Sequence, residues 1–265
     1  AHRINQNLSM ACREFGLGLG PGSRRKLIEH PEMLPDFDVR DFIGEDLPLF
    51  ANLGIAQLER WLHQNEQDKI NRIVKILRAD GLIIHINPFQ EFLQPEGDHI
   101  NQRPVDTIQR VLELVDFPII VKEVGQGMGP ESLKALLELP LLALEFGAFG
   151  GTNFSLLEMK RHHSDFIQDL EPLAKVGHSA DQMVEYCNQI AEQGQVRCQH
   201  LIISGGVRDF LDGYYLIRKS RMPALYGQAS SFLNHAQGDY SSLREFVKNQ
   251  LRGLQLAFSY LKIKN

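Results

Sequence analysis

The run GLIIHIN at residues 81–87 decides the fold, because it is a short apolar segment that ends in two polar side chains, His85 and Asn87. Such a run is typical of a buried parallel strand whose end carries chemistry. Six similar runs occur along the chain: FGLGLG (15–20), LPLFANLG (47–54), PIIVKEVG (118–125), LLALEFGAFGG (141–151), HLIISGG (200–206) and ALYGQA (224–229). The sequence therefore predicts seven strands.

The segments between these runs show the spacing of helices. Two sets of apolar residues recur in steps of three and four, as on one face of a helix: Ile70, Ile73, Val74 and Leu77, and Val105, Ile108, Val111 and Leu112. The alternation of strands and helices predicts a parallel sheet covered by crossover helices. Seven such units are compatible with an open doubly wound sheet or with a barrel that lacks one strand.

Length favours the barrel. An eight-stranded (β/α)8 barrel takes about 250 residues, the chain has 265, and it opens on a helix-like segment at residues 1–15. We expect an α/β fold, a (β/α)8 TIM barrel formed as a single domain over residues 1–265. In this interpretation the first strand lies upstream and is absent from this chain.

Composition excludes several classes of function. A formal net charge of −5 gives no basic patch for nucleic acid, and no apolar run approaches the roughly 20 residues of a membrane span. Cys12, Cys187 and Cys198 lack the spacing of zinc or redox sites, so they predict buried thiols and a reducing cytoplasm.

Two glycine-rich turns, SGGVRDF (204–210) and YGQASSF (226–232), follow the last two predicted strands. Turns in this position of a barrel bind phosphate through backbone N–H groups. Alternatively, the glycines only make tight turns. We predict a phosphate-bearing ligand and take as its candidate contacts Gly205, Gly206, Arg208, Gly227, Gln228 and Ala229, with Thr152 as a weaker hydroxyl donor.

Lys122 stands at the end of a buried run, where a cation needs a partner. The partner is either an electron-rich ring of a cofactor or a carboxylate, for which the candidates are Glu91, Glu123 and Glu145.

Six motifs together resemble those of type 2 isopentenyl diphosphate isomerase, an FMN-dependent (β/α)8 family. They occur along this chain in the same order as in the family. They are ANLGIAQL, HINPFQE, QPEGD, IVKEVGQGM, GGTNF and SGGVR. The resemblance implies the reversible conversion of isopentenyl diphosphate to dimethylallyl diphosphate in isoprenoid biosynthesis, without net redox change. It implies reduced FMN, Mg²⁺ and NADPH as reductant, and a homo-oligomer, a tetramer or larger.

The resemblance also implies roles for matching residues. Gln90 and Glu158 would be catalytic, and Glu91 would hold Mg²⁺. Substrate would be bound by Ser23, Arg24, Arg25, His85, Asn87 and Gln90. FMN would be bound by Ser23, Asn52, Lys122, Thr152, Gly205, Gly206, Arg208, Gly227, Gln228 and Ala229. Each of four residues also has a purely structural alternative. His85 would be a hydrogen-bonded histidine inside the barrel, Asn52 and Asn87 would only form turns, and Glu158 would lie on a solvent-exposed helix face.

The chain departs from the family pattern in places. Arg24 replaces a Gln, and an upstream Arg-Lys segment and a Met-Thr-Gly-Gly loop are missing. LAKVGHSAD (173–181) replaces a Trp-Gly-Ile-Pro-Thr stretch, with His178 or Ser179 as conceivable substitutes, and residues 162–181 read as a lid over the site.

Three rival functions are weighed against the isomerase. A 2-hydroxy acid oxidase needs a base His before Gly-Gly-Arg, where this chain has Ser204, and a nucleotide dehydrogenase of the inosine monophosphate type needs a Cys in a glycine-rich loop. The third rival is a flavin or phosphate binder without activity.

Overall fold

Six parallel strands form one sheet in which spatial order follows chain order. The computed structural model describes residues 2–23, 26–86, 88–93, 100–161 and 169–264. Its strands are β1 (Phe50–Gly54), β2 (Gly81–Ile86), β3 (Ile119–Glu123), β4 (Ala143–Glu145), β5 (His200–Ile203) and β6 (Ala224–Tyr226). A doubly wound sheet reverses its strand order at a switch point. Sequential order excludes that alternative and confirms the predicted winding of a barrel.

The first predicted strand is wrong in extent. Within residues 15–20 only Leu19 takes part in the sheet, as an isolated parallel bridge to Leu49 beside β1. The amide of Leu19 donates to Pro48 O at 2.9 Å, and the amide of Phe50 donates to Leu19 O at 3.1 Å. Glycine weakens a strand interior. Because this run contains three glycines, the segment lies where the strand was predicted but forms only a single bridge to the sheet.

Helices follow the strands as predicted. They are α1 (His2–Phe15), α2 (Lys26–Glu29), α3 (Leu34–Phe37), α4 (Arg40–Ile43), α5 (Ile55–His63), α6 (Asp68–Ile76), α7 (Pro88–Leu93), α8 (Pro104–Leu114), α9 (Pro130–Leu137), α10 (Phe154–Arg161), α11 (Ala180–Glu192), α12 (Phe210–Lys219), α13 (Ser230–Ala236) and α14 (Tyr240–Tyr260), with 3-10 turns at Pro31–Met33 and Glu171–Lys175. The predicted apolar face of α6 is buried, and on α8 the predicted face packs against the core with Ile108 and Val111 buried and Val105 and Leu112 partly buried. Within the described ranges, no helix combines the length and apolar character needed to cross a membrane.

Alternate strand residues pack into two separate apolar clusters. One set faces the helices and forms the main core with them, and includes Leu53, Leu82, Ile84, Val121, Leu144, Phe146, Leu201 and Ile203. The other set, Phe50, Ile83, Ile120 and Ala143, forms a smaller cluster on the opposite face. Because side chains alternate along a strand, the next residues on that second face are Asn52, His85, Lys122 and Glu145. The interior of the barrel is therefore apolar at one level and polar at the next, toward the carboxyl ends of the strands.

The three cysteines are buried, as predicted. Burial raises the pKa of the Cys12 and Cys187 thiols to about 12 and that of Cys198 to about 11.

A buried arginine holds the amino-terminal side of the sheet. The guanidinium of Arg40 is 1% exposed, and it donates to Arg78 O at 2.8 Å, Gly44 O at 2.9 Å, Leu47 O at 3.0 Å and Asp80 Oδ2 at 2.9 Å. Asp80 Oδ2 also accepts from the Leu49 amide at 2.8 Å. One side chain thus joins the segment before β1 to the turn before β2.

Replacing this arginine is expected to destabilise the fold. Arg40→Met removes the donors of three backbone carbonyls and one carboxylate, and should lower the free energy of unfolding by about 3 kcal/mol. Urea unfolding measures this change. Arg103→Met is the matched control, because Arg103 is an exposed residue paired with Asp106 and should shift the midpoint far less. Equal midpoint shifts in the two variants would contradict the assignment.

Candidate active site

A polar layer lies at the carboxyl ends of the strands, where barrels place their chemistry. In this layer His85 Nδ1 lies 2.7 Å from Asn52 Oδ1, and Asn52 Nδ2 donates to Pro21 O at 2.9 Å. Asn52 is buried. Because Oδ1 accepts, His85 carries its proton on Nδ1 in this contact. A Cβ on Gly54 would stand 3.0 Å from His85 Nε2, so glycine there leaves room for the imidazole.

The next strands of this layer carry an ion pair and a hydroxyl. Lys122 Nζ lies 3.7 Å from Glu145 Oε1. The same carboxylate oxygen accepts from Ser204 Oγ at 3.0 Å, and Ser204 Oγ accepts from the Gly147 amide at 3.0 Å. Of the three carboxylates considered for Lys122, Glu145 forms this ion pair. Lys122 and Glu145 both remain partly exposed, so a ligand could reach them.

Gln90 and Glu158 meet although 68 residues separate them in the chain. Gln90 Nε2 donates to Glu158 Oε1 at 3.4 Å, and Arg161 Nη1 lies 3.3 Å from both carboxylate oxygens. Glu158 is 2% exposed, so the alternative of a solvated helix face is wrong. A buried carboxyl group, in contact with a cation and an amide, therefore lies beside α7.

Glycine turns after β4 and β5 are in close contact. Gly205 and Gly206 have φ of +84° and +73°, and a Cβ on Gly205 would come within 2.2 Å of backbone atoms of Ala148. A Cβ on Gly151 would stand 3.0 Å from Gly206 N. Thr152 ends the first of these turns and is exposed. The turns that hold the predicted phosphate contacts on β4 and β5 thus lie together.

The turn after β6 adjoins them. The Gly227 amide donates to Ile203 O at 2.9 Å, and a Cβ on Gly227 would lie 3.5 Å from Ser204 Cβ. Gln228 Nε2 donates to Val207 O at 3.2 Å, while Gln228 Oε1 is buried with no hydrogen-bond partner among the described residues. A ligand hydroxyl at this point would supply the missing donor. Ala229 directly precedes α13.

Of two further predicted contacts, one forms an exposed ion pair and the other is buried on α7. The Arg208 side chain is largely exposed and pairs with Asp212, Nε to Oδ2, at 3.0 Å. Glu91 is buried on α7, and the described part of the chain holds no group of three His, Cys, Asp or Glu side chains that could bind a metal. Mg²⁺ at Glu91 would therefore depend on substrate oxygens and water for its other ligands, as is usual for this ion.

Several predicted positions lie outside the described residues. Arg24, Arg25 and Asn87 are among them, as are residues 94–99 with QPEGD and residues 162–168 of the proposed lid. Ser23 is described and exposed, two residues beyond the Pro21 carbonyl that binds Asn52. The roles of these residues stay predictions.

The described part of the proposed lid is bound to the barrel. Gln126 Nε2 donates to Leu173 O and Val176 O at 3.0 and 2.8 Å, and Asn153 Nδ2 donates to Ala174 O at 2.5 Å. The hydroxyl of Ser179 accepts from Gln182 N at 3.3 Å in a capping box for α11. Ser179 therefore has a structural role in this structure.

The sequence named Glu123 and Glu145 only as possible partners of Lys122, and it gave Gln126 no role. Glu145 follows Ala143 by two residues on β4, and this spacing places both side chains on the same face of the sheet. Burial raises the pKa of Glu123, and backbone donors from Gly125 to Gly127 act in the opposite direction.

Comparison with known proteins gives close relatives in sequence. No family model matches the chain. A Synechocystis isopentenyl-diphosphate delta-isomerase is 32% identical over 97% of this chain and 71% of its own length. A protein of that name from Deinococcus radiodurans is 34% identical over 79% of this chain and 59% of its own length, and one from Synechococcus is 32% identical over 97% and 71%.

Solved structures match in fold at low sequence identity. The flavin-binding domain of baker's yeast flavocytochrome b2 aligns with a TM-score of 0.59 and 10% identity, over 96% of this chain and 60% of that one. A mandelate oxidase variant with an FMN adduct aligns with a TM-score of 0.54 and 11% identity, over 95% and 68%. These likenesses support the barrel fold.

Proposed function

The chain belongs to the isopentenyl-diphosphate delta-isomerase family, and from this premise we propose that it interconverts isopentenyl and dimethylallyl diphosphate with reduced FMN. One observation carries the proposal. Gln90 and Glu158, the two residues assigned to proton transfer, come together beside the polar layer of the barrel. That arrangement supplies a proton-handling group next to the residues assigned to the flavin.

The reaction moves one double bond. One proton is added to the terminal methylene carbon, and another is removed from the methylene carbon between the branched carbon and the diphosphate-bearing carbon. Both transfers need a weak acid or base close to an apolar substrate. The Glu158 carboxyl, kept from water and held by Arg161 and Gln90, is suited to carry a proton, and Gln90 orients it.

The residues of the polar layer and the glycine turns fit FMN. Lys122 and Asn52 would face the ring system, and the turns at Gly205, Gly206 and Gly227 would approach the phosphate. The buried Gln228 Oε1 would accept from a hydroxyl of the ribityl chain. When bound, reduced FMN supplies an electron-rich surface that stabilises positive charge developing on the substrate. Lys122 would in turn balance the negative charge of the reduced ring.

The diphosphate needs cationic and hydrogen-bonding partners. We assign it to Arg25, His85 and Mg²⁺, the latter held by Glu91, with Ser23, Arg24 and Asn87 beside them. NADPH would deliver the reducing equivalents for FMN. The buried, reduced cysteines favour the cytoplasm, and a homo-oligomer of four or more chains completes the proposal.

The main rival, a 2-hydroxy acid oxidase, is disfavoured by one side chain. Such an enzyme needs a basic imidazole before the Gly-Gly turn, to take a proton from the hydroxy acid. This chain has Ser204 there, and the Ser204 hydroxyl donates to Glu145. A hydroxyl bound in this way has no basicity to offer.

An anaerobic assay tests the proposal. The protein, reconstituted with FMN and Mg²⁺ and reduced by NADPH, should convert isopentenyl diphosphate to dimethylallyl diphosphate, and protein stripped of FMN should not. If no isomer forms, and the same protein with oxidised FMN and an added electron acceptor oxidises lactate or mandelate, the oxidase replaces the isomerase.

The ion pair in the polar layer leads to a prediction about the flavin. Glu145→Gln removes a negative charge 3.7 Å from Lys122, so Lys122 should stabilise the reduced, anionic flavin more strongly. We expect the equilibrium to shift about tenfold toward the reduced form, which is about +30 mV for a two-electron couple. Anaerobic redox titration of the bound FMN measures it.

The control is Glu138→Gln, which breaks the Lys134–Glu138 pair on the exposed surface of α9. It should leave the potential unchanged. An unchanged or lowered potential in Glu145→Gln would show that the pair does not act on the flavin.

A further inference from the structure

The amide of Gln126 is a buried junction between two segments of the chain. Gln126 is 8% exposed in the turn after β3. Its Nε2 donates to Leu173 O at 3.0 Å and to Val176 O at 2.8 Å, and its Oε1 accepts from Ser155 Oγ at 3.0 Å. Only an amide offers two donors and an acceptor in one planar group. No isosteric apolar or acidic side chain could make all three bonds.

The turn that carries Gln126 is fixed from β3. Glu123 Oε2 accepts from the amides of Gly125 at 2.7 Å, Gln126 at 2.6 Å and Gly127 at 2.8 Å. Gly127 has φ of +70°, and a Cβ there would come within 2.7 Å of His178 O. The backbone of this turn therefore has little freedom, and the Gln126 side chain is presented in one place.

The hydrogen bond between Gln126 and Ser155 fixes the start of α10 relative to the turn after β3. Ser155 is 3% exposed near the start of α10, and Glu158 follows one helical turn later. A helix moves as a unit, so the place of Ser155 sets the depth of the Glu158 carboxylate. The Gln90–Glu158 distance of 3.4 Å is near the limit for a hydrogen bond. A small displacement of α10 would break it.

A small cavity borders both the Gln126–Ser155 pair and Gln90. It has a volume of about 10 Å³, and Gln90, Glu123, Gln126 and Ser155 contribute to its lining. This is close to the space that one water molecule needs. The Gln126 junction therefore borders the Gln90 side of the candidate site.

We propose that Gln126 is a positioning residue for the isomerase reaction, which through Ser155 sets where α10 presents Glu158 to Gln90. The inference rests on the proposed function, because that function gives Glu158 its proton-transfer role. Gln126 and Ser155 need touch neither substrate nor flavin. Their loss should lower kcat and leave substrate and FMN affinity in place.

Ser155→Ala and Gln126→Met test the proposal in the FMN-loaded protein. Each should lower kcat about tenfold, because misplacing a reacting group by a fraction of an ångström is enough for such a loss. The KM for isopentenyl diphosphate and the Kd for FMN should stay within about twofold. In a Glu158→Gln background, neither change should lower kcat further, because the group that they position is already absent.

Ser9→Ala is the matched control. Ser9 is also a fully buried serine, and its hydroxyl donates to Asn5 O on α1 at 2.7 Å. It should lose comparable thermal stability and keep its kcat. Should Gln126→Met fail to fold, Ser155→Ala alone carries the test.

Different failures have different meanings. An unchanged kcat in Ser155→Ala, or equal losses in the wild-type and Glu158→Gln backgrounds, would overturn the positioning role and leave the proposed function standing. A wild-type kcat in Glu158→Gln itself would overturn the proton-transfer role of Glu158, and the positioning inference with it.

Discussion

Glu158→Gln is expected to lower kcat by about 10²- to 10⁴-fold, the range for loss of a general acid or base. The amide keeps the shape of the side chain and its contact with Gln90, but it cannot carry the proton. Because Glu158 is buried on α10 and its charge faces Arg161, FMN affinity and the KM for isopentenyl diphosphate should change little. Steady-state kinetics with the reduced, FMN-loaded protein measure the effect.

Glu138→Gln provides the control for this change as well. Glu138 is a carboxylate at the end of α9 that pairs with Lys134 at 2.7 Å, one helical turn away, much as Glu158 is paired with Arg161. Its replacement should leave kcat unchanged. A kcat within about threefold of wild type in Glu158→Gln would remove Glu158 from the chemistry.

Gly205→Ala is expected to be the most damaging small substitution. The added Cβ would meet Ala148 N and O at 2.2 Å, at a residue with φ of +84°, so the turns after β4 and β5 would have to separate. We expect a loss of at least about 3 kcal/mol in the free energy of unfolding, from steric displacement and backbone strain together. Weaker FMN binding should accompany it, because the same turns approach the phosphate. Denaturant unfolding and FMN titration measure the two effects.

Substitutions at two other glycines provide graded comparisons for this prediction. Gly206 has φ of +73°, but a Cβ there would meet Phe149 O at an ordinary 3.4 Å, so Gly206→Ala should cost about 1 kcal/mol from the backbone alone. Nothing lies within 4 Å of a Cβ at Gly238, and Gly238→Ala should be almost neutral. A Gly205→Ala variant no less stable than Gly206→Ala would contradict the close approach of the two turns.

The fold could be predicted largely from local patterns. Runs such as GLIIHIN are apolar because both faces of a barrel strand are covered, and this signal located the six strands found in the described part of the chain. It overestimated the length of the strand at residues 15–20. Apolar residues that alternate with glycine have the pattern of a strand, but a strand also needs side chains that pack on both faces. Length and the family resemblance favoured the barrel over a doubly wound sheet, and the sequential strand order in the structure decided between them.

The site was less accessible to sequence reasoning. Position near the carboxyl end of a strand marked His85, Asn52 and Lys122, because strand ends in a barrel converge. The pairing of Gln90 with Glu158 joins two helices that are distant in the chain, and their roles came from family resemblance. Gln126 was visible only as a member of the motif IVKEVGQGM, since its role depends on three partners from two other segments of the folded chain.

One measurement tests the central claim, that this chain moves a double bond without consuming reducing equivalents. The FMN-loaded protein, reduced once with a limiting amount of NADPH under anaerobic conditions in D₂O, is given excess isopentenyl diphosphate and followed by NMR. The account predicts many molecules of dimethylallyl diphosphate per flavin, with deuterium in the new methyl group and the flavin still reduced. Product limited to one equivalent per flavin, or flavin reoxidation in step with substrate loss, would contradict it.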